Sequence, residues 1–412
     1  MIEPNDSQKK IRETLEGMVV VDAGPGTGKT HTIVERYINL IKKPDVSPSD
    51  VLLLTFTNNA AAEMDERIKA RLSELGMSKD SELVQTKTFD AFCLSIVLDS
   101  PDLVSGFFGF KEKLTRAATL QQNDTLNKEY FRRFIDGFLN YRGADYGDIA
   151  IIASEHPFSV MRAIYKLISK GLIPLEKGWF GNDWHRILTG DTEKIYDSLL
   201  SNNAVGSRGG CANKTVLYDI DEENIYNPPG LTPQGNLPLE SLQSAADPPR
   251  EDLFRFIHDV YYAYIKQSVS DNRLTFGLNA MLAFTLLYNH RSVRERNSYR
   301  YLMIDEFQDT NANQMMVSLM VLKEPNLCVV GDWKQGIYGF RYVSIENITR
   351  FEEKVVEYRR FLNDDPSDPK VRFKAPEAKE LPLDVNYRSS QQIIDTAFQC
   401  ICLKGNSSDP LD

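Results

Sequence analysis

Short apolar runs recur along the chain at the spacing of a parallel α/β fold. Met18-Val-Val-Val-Asp22, Val51-Leu-Leu-Leu-Thr55, Val84 to Phe89, Tyr299 to Ile304 and Leu327-Cys-Val-Val330 each read as a strand. After the first, Ile33, Val34, Tyr37, Leu40 and Ile41 fall on one helical face, and Pro44 closes that helix. A second helix is expected from about Asn59 to Leu75, where Glu63/Arg67 and Asp65/Lys69 pair at i,i+4. A third lies around Gln314 to Leu322. Between the two blocks the pattern changes. Residues 125–200 look helical and rich in aromatics, whereas 201–250 hold six of the 19 prolines and read as long loops. A charged, proline-rich stretch from Asp364 to Pro382 reads as an exposed connector. The simplest assembly is one parallel-sheet domain interrupted by a mainly helical insertion. Two independent domains would leave the first three strands without partners.

Length and composition narrow the class. A chain of 412 residues is too long for one ordinary core, and 42% hydrophobic with 26% charged residues describes a globular protein. The longest apolar run, Leu278 to Leu287, is about half of what spans a bilayer, so no membrane is expected. Five cysteines without a CxxC pair fit a reducing cytoplasm and speak against a disulfide scaffold or zinc site. A formal charge of −10 excludes a uniformly basic nucleic-acid coat, but not a local groove built from a few placed residues.

The candidate chemistry begins at Ala23-Gly24-Pro25-Gly26-Thr27-Gly28-Lys29-Thr30, between a strand and a helix. In that context the glycines let backbone N–H groups converge on a phosphate chain, and the helix adds its positive end. Lys29 is expected to reach the β- and γ-phosphates of ATP and Thr30 to hold Mg2+. Ala23 stands where the strict pattern has glycine. A P-loop needs a carboxylate at the end of a neighbouring strand. Tyr301-Leu-Met-Ile-Asp305-Glu306 supplies Asp305 for Mg2+ and Glu306 to polarise the attacking water.

Six ordered motifs carry a family resemblance: Gly24 to Thr30, Thr55-Phe-Thr-Asn58, Ala60 to Met64, Asp305 to Asn311, Gly331 to Arg341, and Asn386-Tyr-Arg-Ser-Ser390. Together they make the chain resemble the UvrD/Rep-like superfamily 1 DNA helicases from Gln8 to about Ile394. The resemblance implies a RecA-like P-loop NTPase domain in two parts, 1–98 and 272–383, around an inserted domain at 99–271. Residues 384–412 would begin a second, truncated RecA-like domain. It further implies that Gln8 reads adenine, that His31 flanks it and that Tyr387 stacks on it. Gln335 would sense the γ-phosphate, and Arg388 would reach it from across the cleft. Thr55, Thr57, Asn58 and Thr88 would contact DNA phosphates, and Phe56, Tyr338, Phe340 and Arg341 would form a track for stacked bases. By burial alone Phe56, just after a strand, reads equally well as core.

The chain departs from the family pattern in places. Asn59 replaces a lysine, Asp90 stands where a histidine is common, and His31 stands where an arginine often flanks adenine. The first two remove positive charge from the expected DNA side. The resemblance implies an ATP-dependent motor moving 3′-to-5′ on single-stranded DNA and unwinding tailed duplex, with this chain as its N-terminal half and a C-terminal half supplied in cis or in trans. The rival class is a non-motor module that uses ATP as a switch or relies on a partner chain.

Overall fold

The computed structural model describes residues 3–121, 123–169, 171–180, 250–336 and 345–402. The chain divides into two compact units, one made of residues 1–92 and 290–412, the other of 93–289.

The first unit is built on a six-stranded sheet. Its strands are β1 (Met18–Ala23), β2 (Val51–Thr55), β3 (Gln85–Thr88), β4 (Tyr301–Ile304), β5 (Leu327–Gly331) and β6 (Ala378–Leu383). They lie in the order β6-β1-β5-β4-β2-β3, and every pairing is parallel. Helices cover both faces of such a sheet, which is why β2, β4 and β5 are buried along their whole length and read as unbroken apolar runs. Helices α1 (Asp6–Glu13), α2 (Lys29–Ile41) and α3 (Asn58–Glu74) pack on one face. There Val19, Val21, Leu53, Met303 and Val330 meet Ile33, Tyr37, Ile38, Met64, Ile68 and Leu72.

The second unit is mainly helical among its described residues, with helices at Pro101–Phe108, Asp124–Arg142, Asp148–Glu155, Pro157–Ser169, Arg250–Ser270 and Phe276–Asn289. Its core is aromatic. Tyr264 packs edge-on against Phe131 at 5.1 Å between ring centres, and Phe256 meets Tyr146 in the same way. The apolar run Leu278 to Leu287 is the buried centre of its last helix. The boundaries at residues 93 and 289 therefore lie outside the 99–271 expected for the insertion. The loops expected at 201–250 lie outside the described residues, apart from Arg250.

One expectation is overturned. The stretch from Asp364 to Pro382 is not an exposed connector, because its end forms the sixth strand and its middle is pinned. Val371 is 1% exposed, and its backbone N–H and C=O both bond the Asn363 side chain, at 2.9 and 2.7 Å. Arg359 Nε donates to Phe373 O at 2.6 Å. Leu381 and Leu383 enter the core, while Lys379, Glu380 and Pro382 face outward. Charge and proline suit an edge strand bonded on one side only, so the composition that reads as a loop also fits a sheet border.

Candidate active site

The carboxyl ends of the strands carry the candidate residues. β1 ends at the fully buried Ala23, and the chain turns through Gly24, Pro25, Gly26, Thr27 and Gly28 into α2. Gly26 and Gly28 have φ of +73° and +82°, in the region open to glycine. Thr27 Oγ1 donates to Gly24 O at 2.8 Å and closes the turn. Gly28 is the N-cap of α2 and offers no side-chain acceptor, so the first N–H groups of that helix are left to an anion. Lys29 and Thr30, half-buried, open the helix, and His31 is exposed.

β4 delivers the carboxylates from two strands away. Asp305 N–H donates to Leu54 O, fixing the residue against β2. Its side chain is 7% exposed, and Oδ1 is buried without a hydrogen-bond partner. Burial first, then the neighbouring Glu306, pushes its carboxyl up to about 6, against the pull of Lys29. An unpartnered buried carboxylate oxygen is the donor a hard divalent cation satisfies, so the site fits Mg2+. Among the described residues no cluster of three or more His, Cys, Asp or Glu could hold a metal, which leaves the remaining ligands to a hydroxyl, phosphate oxygens and water. Glu306 follows with φ +50°, rare for a residue with a side chain, and its Oε2 lies 3.5 Å from Lys29 Nζ.

Three further motif residues collect around the same turn. Asn386 Nδ2 donates to Pro25 O at 2.7 Å, and Tyr387 N–H donates to Gly26 O at 2.8 Å. A Cβ at Gly26 would stand 2.6 Å from Arg388 Cβ, so glycine is also what admits this segment. The Arg388 backbone is thereby brought against the P-loop a few residues after the edge strand β6. Tyr387, 49% exposed, accepts through its hydroxyl from Asn5 Nδ2 at 2.8 Å. Gln8 is buried in the capping box of α1, with Oε1 accepting from Asn5 N–H and Nε2 donating to Thr27 O at 3.3 Å. Gln335 Nε2 donates to Asp332 Oδ2 at 2.7 Å in the turn after β5.

The expected DNA contacts divide. Thr55 and Thr88 are register partners at the ends of β2 and β3, both buried. The Thr55 hydroxyl donates to Thr57 O, and that of Thr88 accepts from Ala91 N–H. Thr57 caps α3 through Ala60 N–H. Asn58 is exposed, and Phe56 is half-buried, between the core and track readings. Tyr338, Phe340 and Arg341 lie outside the described residues. Asn386, Gln308 and Asp332 stood inside the motifs without an assigned role, and Asn5 stood outside them. Their signal was membership of a motif, or in Asn5 closeness to Gln8, since short amides and carboxylates there are what tie one loop to the next.

A parallel sheet with a glycine turn at the end of one strand and an Asp-Glu pair at the end of another defines a P-loop fold of RecA-like type. A family model described as the UvrD/REP helicase N-terminal domain matches residues 4–356, and the chain belongs to that family. It is 26% identical over 398 residues to the ATP-dependent DNA helicase PcrA of Staphylococcus epidermidis, an alignment covering 96% of this chain and 40% of that protein. Against PcrA of Staphylococcus aureus the identity is 25% over 404 residues, covering 98% and 40%. The chain thus spans 40% of the length of these curated relatives.

Proposed function

We propose that this chain is the nucleotide-hydrolysing lobe of an ATP-dependent DNA helicase or translocase that moves 3′-to-5′ on single-stranded DNA. The observation that carries the reading is the meeting of Lys29, Asp305 and Glu306 at one end of the sheet, with Lys29 Nζ 3.5 Å from Glu306 Oε2 beside a buried, unpartnered Asp305 oxygen. Lys29 and the first N–H groups of α2 bind the phosphates, and Glu306 takes the proton of the attacking water. Thr30 and Asp305 would hold Mg2+, which when bound neutralises charge on the phosphate oxygens. Arg388, whose Cβ stands against Gly26, would supply an always-charged guanidinium to the γ-phosphate, and Gln335 would sense it. Tyr387, Gln8 and His31 border the base, with Gln8 set by its bonds to Asn5 and Thr27.

Single-stranded DNA passes over Phe56, Thr57 and Asn58 and along Tyr338, Phe340 and Arg341. Thr55 and Thr88 support that surface from beneath. The polarity comes from the family resemblance alone. A second lobe, in cis or in trans, completes the cleft, a reading supported by the N-terminal-domain match and by the 40% coverage of the relatives. We place the protein in the cytoplasm, with DNA as its partner. No single helix among the described residues is long and apolar enough to cross a membrane.

Strand displacement on 3′-tailed and 5′-tailed duplexes tests the proposal. The isolated chain is expected to hydrolyse ATP slowly and leave both duplexes intact. With the second lobe supplied, the 3′-tailed duplex is unwound. Preference for the 5′ tail would overturn the polarity, and robust unwinding by the 412-residue chain alone would overturn the need for a second lobe.

A further inference from the structure

A bridge of hydrogen bonds joins Glu306 to the turn after β5 through Gln308, a residue with no part in the chemistry above. Gln308 lies in the single turn Phe307–Asp309 that follows β4, and it is 3% exposed. Its amide is divided between two elements. Nε2 donates to Glu306 Oε2 at 2.8 Å, and Oε1 accepts from the backbone N–H of Asp332 at 3.0 Å. The Asp332 carboxylate carries the path on, with Oδ1 accepting from Lys334 N–H at 3.1 Å and Oδ2 from Gln335 Nε2 at 2.7 Å. A continuous polar route therefore runs from Lys29 through Glu306, Gln308 and Asp332 to Gln335.

Two independent features mark the bridge as built. Gly331 makes room for it, because a Cβ there would stand 2.4 Å from Gln308 Oε1, 3.1 Å from Gln308 N and 3.0 Å from Ile348 Cδ1. Glu306 itself holds a left-handed backbone at φ +50°, a conformation that persists only where neighbours hold it. Only an amide serves at position 308, since the bridge needs a donor at one end and an acceptor at the other.

We infer that Gln308 is a positioning residue, holding the Glu306 carboxylate in register with the 332–335 turn so that a shift of that turn re-aims the base. This rests on Glu306 acting as the base. Gln335 is the γ-phosphate sensor in that reading, so contact made at the turn reaches the base through the Asp332 backbone.

The test uses the full chain with Gln308→Glu and Gln308→Met, each alone and combined with Glu306→Gln, reading kcat, KM for ATP and the thermal midpoint. Glutamate keeps the acceptor for Asp332 N–H but sets a like charge against Glu306. Methionine keeps the length and removes both bonds. Each single variant is expected to lower kcat by ~10–100-fold, the scale of a misaimed group, with KM changed less than about twofold. Adding either to Glu306→Gln should cost nothing more, because the group it aims is already gone. An unchanged kcat overturns the inference. So does a loss that multiplies with that of Glu306→Gln, or one that follows the thermal midpoint. If Gln308→Glu does not fold, Gln308→Met decides alone. If Glu306→Gln hydrolyses at the unmutated rate, the role of Glu306 has failed and this inference with it, a result visible without any change at Gln308.

Discussion

At Asp305 a carboxylate stands buried with one oxygen unpartnered, and its proton is held up to about 6 instead of leaving at 3.8. The folded chain therefore binds more protons than the unfolded one between those values. Its contribution to stability is complete below 3.8 and is lost as pH rises through about 6. The displacement corresponds to roughly 3 kcal/mol at full charge. Asp305→Asn should accordingly raise the thermal midpoint at pH 8 in EDTA and leave it unchanged at pH 3. A gain of equal size at both pH values would contradict the assignment. The same substitution should weaken Mg·ATP binding, because the cation loses a charged ligand. At Lys29 and Glu306 the expected losses differ in kind. Lys29→Ala should abolish turnover by removing the phosphate contact while the fold stays intact. Glu306→Gln should keep ATP binding and cut hydrolysis by ~10²–10⁴, the scale of a lost proton acceptor. Phosphate release paired with equilibrium nucleotide binding separates the two.

The central elements were legible because their physics is local. Val51-Leu-Leu-Leu-Thr55 is buried on both faces, and a Gly-rich turn between a strand and an amphipathic helix leaves few alternatives. The positions of the candidate residues Lys29, Asp305 and Glu306 were legible for the same reason, since each ends or begins such an element. β6 was not legible. Of its six residues only Leu381 and Leu383 are buried, and its partner β1 lies some 360 residues earlier in register, as Met18 facing Ala378. An edge strand with Lys379, Glu380 and Pro382 outward carries the composition of a loop. Gln308 was visible as a motif residue but its contacts were not, because they are made with Gly331 and Asp332 from another strand. Leu381→Asp puts a charge at a position 4% exposed beside β1 and should release β6. Limited trypsin digestion should then cut after Lys370, Arg372 or Lys374 far faster than in the parent chain. Equal cutting in both would restore the connector reading.

For the whole molecule, the sheet brings Lys29, Asp305 and Glu306 to one end of one unit, and the Asn386–Arg388 segment closes on the same turn. With a net charge of −10 the chain should hold single-stranded DNA through few phosphate contacts, so its affinity should be modest and should fall only gently as salt rises. Phe340→Ala should weaken that binding by ~1–3 kcal/mol and leave ATP affinity without DNA unchanged, as fluorescence anisotropy of a labelled oligonucleotide would show. Loss of thermal stability in step with affinity would make Phe340 a core residue instead. The most direct measurement is phosphate release from Mg·ATP by the 412-residue chain and its Glu306→Gln variant, with and without oligo-dT at low salt. The account predicts slow hydrolysis by the parent chain, faster with DNA, and a loss of ~10²–10⁴ in the variant, which still binds ATP. Equal rates in the two proteins, or turnover indifferent to DNA, would contradict it.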